Sequence, residues 1–233
     1  MTDRTRPREA CASKNPIPWE QDSESNIRIS FLNIMNLKNN HDDIVKDKTL
    51  MRSTILAVSE TWLNINESIE ITGFKEYLNS TGPGKGLALF IRDDDFKHKI
   101  NIREERMQIT LVGSNDLDVI IVYRSEQGST LQLIQHLEDL INPGSAIVIC
   151  GDFNICYRST RNNRVTKFLN QLGFSQLMNE PTHIRGRTID HFYFREGAVI
   201  QENPIILRYS PYYSDHDAIC ATIKKMSCQT KTD

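Results

Sequence analysis

No apolar run in this chain reaches the ~18 residues that a membrane-spanning helix needs, and the opening segment MTDRTRPREA is too polar for a secretory signal. The expectation is an unsecreted soluble protein, nuclear or cytoplasmic. An excess of charge is missing too: the formal net charge is −2 and the pI about 6.3. No global attraction to a polyanion follows, so any grip on nucleic acid has to be local. Cysteine is sparse, and Cys11, Cys150, Cys156, Cys220 and Cys228 show no CxxC or Cys/His ligand spacing. That excludes a zinc-finger reading and points to free thiols in a reducing compartment. Internal repeats and low-complexity tracts are lacking, which excludes solenoids and propellers. What is there is ordinary globular material: 233 residues, 39% hydrophobic and 25% charged, the size of one large α/β domain with one site.

Residues 1–25 mix Pro, Ser and alternating charge without an apolar period and read as a flexible tail, with 227–233 as a shorter one. The domain is expected over 26–226. Within it, apolar runs of strand length recur: IRISFLN (27–33), TILAVSE (54–60), GLALFIR (86–92), MQITLVG (107–113), LDVIIVYR (117–124), AIVICGD (146–152), TIDHFYF (188–194) and DAICATI (217–223). Helices are expected over 42–52, 129–141 and 163–172, with Ser129 or Thr130 as a cap and Asn142-Pro143-Gly144 as a stop. So many strands with so few helices argue against a regular βαβ winding. Two sheets packed face to face with helices outside suit the pattern better.

Polar residues stand at the ends of these strands. Asn33 closes the first, Glu60 the second and Tyr123 the fifth; Asp152 and Asn154 follow the sixth, Asp190 interrupts the seventh, and Asp215 and His216 precede the last. A single strand-end carboxylate is usually a solvated loop residue. Strand ends sharing one edge of a sandwich, however, bring distant residues into one cleft, and this set holds what phosphodiester hydrolysis requires. That reaction needs a cation to offset charge on phosphorus, a base or orienting group for the attacking water, and a group to stabilise the leaving oxygen. Carboxylate and amide oxygens favour Mg²⁺, with Mn²⁺ as a substitute, over Zn²⁺.

The segments SETWL (59–63), GDFN (151–154), IDHFYF (189–194) and SDHDAI (214–219), in this order, resemble the signature series of the endonuclease/exonuclease/phosphatase, or DNase I-like, superfamily. The resemblance runs from about Ile27 to Ile223. It implies a four-layer α/β/β/α sandwich of two mixed, mostly antiparallel sheets with helices outside. ILAVSETWL, GKGLALFIR, VYR and EPTH are similar to LINE-type mobile-element endonucleases, and YYSDHDAI and TIDHFYF to Helitron-type ones. Carried over, the resemblance makes Glu60, Asn33 and Asp215 metal ligands. Asp152 becomes the group that orients or deprotonates water, with Asn154 beside it on an extended segment. His216, oriented by Asp190, becomes the catalytic histidine, while Tyr123 and Thr182 contact phosphate and Ser214 is a structural or phosphate-facing hydroxyl. Met35 stands where many apurinic endonucleases have an aspartate, which counts against abasic-site repair.

Basic residues in 158–167 (Arg158, Arg161), in IRGR (Arg185, Arg187), and at Arg195 and Arg208 are expected to form a positive rim for DNA phosphates. The short segment 184–190 leaves little room for a groove-reading hairpin, so weak sequence preference is expected. The implied activity is Mg²⁺-dependent nicking of duplex DNA, leaving 3′-hydroxyl and 5′-phosphate ends, without a membrane partner, by either a domain of a longer mobile-element polyprotein or a freestanding relative. A phosphoinositide or sphingomyelin phosphodiesterase would need apolar membrane-contacting loops. A catalytically lost DNA-binding remnant would show erosion at the motif residues.

Overall fold

The computed structural model describes residues 26–80, 82, 84–159, 164–200 and 202–224; the expected tails and Arg161 lie outside them. The apolar runs become strands β1 (Asn26–Asn33), β2 (Ile55–Ser59), β4 (Leu87–Ile91), β6 (Met107–Gly113), β7 (Leu117–Arg124), β8 (Ala146–Asp152), β10 (Asp190–Arg195) and β12 (Ala218–Lys224). Strands β3 (Lys75–Asn79), β5 (Lys97–Glu104), β9 (Ser175–Gln176) and β11 (Ile205–Tyr209) complete them. They assemble into two six-stranded sheets, ordered β11-β12-β1-β2-β4-β3 and β5-β6-β7-β8-β10-β9. The pairs β1–β2 and β7–β8 are parallel and their neighbours antiparallel.

Alternation within the central strands builds the interior. Ile27, Ile29 and Phe31 of β1, Val119 and Ile121 of β7, Val148 and Cys150 of β8, and Phe192 and Phe194 of β10 meet in the core between the sheets. Each such side chain contributes about 1.5–3 kcal/mol by leaving water. The outer face of the second sheet packs on α2 (Thr130–Leu140) and α3 (Arg164–Gln171), through Leu133, Leu137, Val165 and Leu169. The outer face of the first packs on α1 (Leu37–Lys46) through Leu37 and Ile44. Four layers, α/β/β/α, result, as the resemblance implied.

Local chemistry sets the helix ends. Ser129 caps α2, its side chain accepting from the Gln132 amide. The first helix departs from the expected 42–52. It starts at Leu37, where the Asn36 side chain accepts from the Asn39 amide, and ends at Lys46. Residues Leu50–Arg52 form a separate 3-10 turn, because the Asp47 carboxylate accepts from the amides of Thr49 and Leu50 and starts a new turn.

Candidate active site

Inward-facing positions turn from apolar to polar at one end of the sandwich. Across the second sheet, Tyr123 of β7 lies level with Asp152 of β8, and Asp152 with Asp190 of β10. In the facing sheet, Asn33 of β1 lies level with Ser59 of β2, one residue before Glu60. A side-chain bond joins the sheets: Asn33 Nδ2 donates to Asp152 Oδ2 at 3.0 Å and to Glu60 Oε1 at 3.0 Å. The Asn33 amide oxygen meanwhile accepts from the Met35 amide at 3.2 Å. Turned this way, Asn33 bridges two carboxylates and offers them nitrogen.

The GDFN loop is shaped by close approach. Gly151 has φ 144°, and a Cβ there would sit 1.9 Å from the Val122 carbonyl oxygen, so only glycine lets β8 run this near β7. Asn154 is not on extended backbone as expected, since its φ is 49°. A left-handed turn brings its Nδ2 to 3.1 Å from Asp152 Oδ2 and 2.9 Å from the Arg124 carbonyl. Two residues with no expected part fix the loop from behind. Arg124 Nη1 donates to the Phe153 carbonyl at 2.8 Å. His191, buried and held near a pKa of about 4 by desolvation, is hydrogen-bonded to the Ile155 carbonyl at 2.8 Å.

His216 Nδ1 lies 2.8 Å and 3.1 Å from the two oxygens of Asp190. Burial disfavours the charged ring, but the charge of Asp190 and its hydrogen bond, with Asp152 and Asp215 behind, outweigh it and push the pKa up to about 9. The ring is therefore cationic at neutral pH, with Nδ1 taken and Nε2 left over. Asp152 moves up to about 8, because burial and then the charge of Asp190 disfavour its ionised form more than His216, the Asn154 amide and Asn33 favour it. Tyr123 is raised by burial, by the charges of Glu60 and Asp152, and by a hydrogen bond to Glu60.

A second histidine belongs here that the strand-end pattern does not single out. His183 Nδ1 accepts from the Arg185 amide at 3.0 Å, which leaves its Nε2 as the protonated atom, 3.4 Å from Asp215 Oδ2. Its ring stands edge-on to that of His216, with centroids 4.7 Å apart. Burial, followed by the positive charge of His216, lowers its pKa. The signal is present in EPTH, whose histidine directly follows the threonine. Thr182 itself sits behind the site, its hydroxyl accepting from the amides of Ile189 and Asp190. Ser214 donates to the Asn33 carbonyl at 2.7 Å and accepts from the His216 amide. Both hydroxyls hold backbone, for Ser214 the structural one of its two expected roles.

The donor set suits a hard divalent cation. Metal-type ligand atoms lie within 4.8 Å of one another in the groups Asp152/Asp190/His216 and His183/Asp215/His216. Glu60 stands outside both and is tied in through Asn33. Asp215 Oδ1 is buried without a hydrogen-bond partner, 3.9 Å from His216 Nε2. Four carboxyl groups, those of Glu60, Asp152, Asp190 and Asp215, gather around the one cationic ring of His216, and burial with this crowding keeps the proton on Asp152. Carboxyl groups packed this closely are what a hard divalent cation offsets.

The basic rim is thinner than expected. Arg187 is paired with Glu126 at 2.9 Å, and the charge of Arg185 also bears on Glu126. Arg158 donates to the Asn179 carbonyl, and Arg208 is held by Asp217 and Glu180. Arg195 lies at the other end of β8, level with Ile147, donating to the Ser145 carbonyl and resting on Phe174. No helix among the described residues is long and apolar enough to cross a membrane.

A model of the Endonuclease/Exonuclease/phosphatase family matches residues 32–216. No curated protein sequence matches significantly. Among solved structures, the endonuclease domain of TRAS1, a telomere-specific non-LTR retrotransposon, superposes with a TM-score of 0.65 at 14% identity, over 87% of this chain and 100% of that one. An AP endonuclease from Archaeoglobus fulgidus gives 0.70 at 15%, over 84% and 99%. A variant of the 3′ phosphatase NExo from Neisseria, bound to product DNA hairpin, gives 0.65 at 16%, over 85% and 99%.

Proposed function

This chain belongs to the endonuclease/exonuclease/phosphatase family, and from that premise we propose that it is a divalent-metal-dependent DNA endonuclease of mobile-element type. It nicks one strand and leaves 3′-hydroxyl and 5′-phosphate ends. One observation carries the reading: residues as far apart in sequence as Asn33, Glu60, Asp152, Asp190 and His216 gather at one end of the sandwich, Asn33 bonded to Glu60 and Asp152 across both sheets, His216 bonded to Asp190, and the ligand atoms of Asp152, Asp190 and His216 within 4.8 Å of one another. The likeness to the TRAS1 endonuclease domain, together with SETWL and EPTH, supports the mobile-element assignment.

Glu60 and Asp215 would hold Mg²⁺, with Mn²⁺ as a substitute; the cation supplies charge neutralisation at the phosphoryl oxygens. The chain's own groups do the rest. Asp152 in its ionised form, bonded to Asn33 and level with Asp190, takes the proton of the attacking water; as the water oxygen bonds to phosphorus the P–O3′ bond breaks, and the 3′-oxygen leaves with a proton from solvent. Asn154, locked to Asp152 and the Arg124 carbonyl, orients that water. His216, kept cationic by Asp190, donates from Nε2 to a phosphate oxygen as charge builds there. Tyr123, kept protonated, offers its hydroxyl to the same phosphate. Arg185 and Arg158 contact neighbouring phosphates.

The test is to map cut positions and end chemistry on a long duplex with Mg²⁺ and with Mn²⁺. Nicks that a DNA ligase reseals directly are expected, since resealing needs both end groups. Ends that ligase reseals only after phosphatase and kinase treatment would contradict the proposed chemistry.

A further inference from the structure

Two backbone straps border the first-sheet side of the site, and both hold residues in a conformation that side chains avoid. Glu60 and Trp62 have φ of 53° and 57°, and Met35 has φ of 50°. A left-handed tryptophan is an outlier that persists only where its surroundings over-determine it, and such strain collects at functional positions. Here the surroundings are visible. The strap carrying Glu60 and Trp62 is bonded on one side by the amides of Asn36 and Leu37, donating to the carbonyls of Glu60 and Thr61 at 2.9 and 3.0 Å. On the other side its Thr61 and Trp62 amides donate to the carbonyls of Gly86 and Lys85.

This clamp buries Thr61 and Leu63 and leaves Trp62 between them 42% exposed. The indole therefore does not fill the core, and strain is spent on holding it at the surface. Its place is also fixed relative to the site, because two residues of chain cannot separate the Cα atoms of Glu60 and Trp62 by more than roughly 7 Å. Met35, 40% exposed, follows Asn33 by the same two residues on the adjoining strap. The Cα atoms that carry an exposed indole and a thioether thus lie about one nucleotide step or less from those of Glu60 and Asn33, on a face where Arg187 and Arg208 are ion-paired.

We propose that Trp62 is a stacking platform for a nucleobase beside the scissile phosphate, with Met35 against the base edge or sugar. The proposal rests on the phosphodiesterase reading above and adds its substrate class: nucleic acid with a base unstacked next to the cut. Stacking accepts every base, so it gives grip without sequence preference. It would supplement the thin positive rim.

The test uses Trp62 as its own probe in a Trp19→Phe, Asp152→Asn background, in which nothing is cut. Oligodeoxythymidylate is titrated against a fully abasic oligomer of the same length and charge. Quenching of Trp62 emission by the base-bearing strand alone is expected. Trp62→Ala should weaken its binding roughly tenfold or more, to the level of the abasic strand, and Trp62→Phe should retain most of it. Equal binding of both strands, or no loss in Trp62→Ala, would overturn the proposal while leaving the nuclease reading in place. Absence of cutting by the Trp19→Phe parent would instead sink the nuclease reading itself.

Discussion

At the scale of single residues, the site is a balance of buried charges that mutation can tip in foreseeable directions. Asp190 is what keeps His216 cationic against its burial. Asp190→Asn removes that charge, and the His216 pKa should fall from about 9 to below its ordinary 6.5, read by proton NMR of the ring. A pKa that stays near 9 would show that the pair does not set the ring's charge. The same residues are the most legible part of the sequence, since GDFN, IDH and SDH put an aspartate or histidine where apolar alternation stops. Less legible are the residues that act through backbone. Thr182 and Ser214 hold the amides of Asp190 and His216, contacts that their place in the sequence does not show. His183 does not stand out because its partner, Asp215, is far away in sequence. Which face of an amide or hydroxyl is free depends on neighbours that only the fold supplies.

At the scale of elements, the strands that the sequence reveals are the interior ones, and those it conceals are the borders. β3, β5, β9 and β11 are the outer strands of the two sheets. Their mixed exposure, as in KHKINIRE of β5, gives no continuous apolar run, and charged edges guard against pairing with other chains. The first helix departs from its expected span for a related reason: LKNNHDDIVK has few strong helix formers, and the Asn36 cap that starts it is a local feature. The turn at Gly151 offers a sharp test. Gly151→Ala would drive a Cβ into the Val122 carbonyl and should cost about 3 kcal/mol or more by urea denaturation; a loss under about 1 kcal/mol would mean that β7 and β8 separate easily. By contrast, Ser129→Ala removes only a helix cap. It should cost about 1 kcal/mol of stability by urea denaturation.

At the scale of the whole molecule, the acidic cleft opposes folding when no cation is bound. The folded chain raises Asp152 from 3.8 to about 8 and His216 from 6.5 to about 9. Each group thereby stabilises the fold while protonated, fully below its unfolded value, and that contribution is lost as pH climbs through the folded one. His191, lowered to about 4, works the other way up to its ordinary 6.5, so metal-free protein should lose stability between about pH 6.5 and 9, and saturating Mg²⁺ should restore it most at the alkaline end, as followed by Tm. A Tm that rises with pH across this range, or is indifferent to Mg²⁺, would contradict the charge balance. The most direct measurement of all is the rate at which supercoiled plasmid is nicked by the parent protein and by Asp152→Ala and His216→Ala in saturating Mg²⁺. Losses of about 10²–10⁴-fold in each variant, with the fold intact and the parent silenced by a chelator, are the predicted result. Parental rates in both variants, or a parent that cuts equally well without a divalent cation, would contradict it.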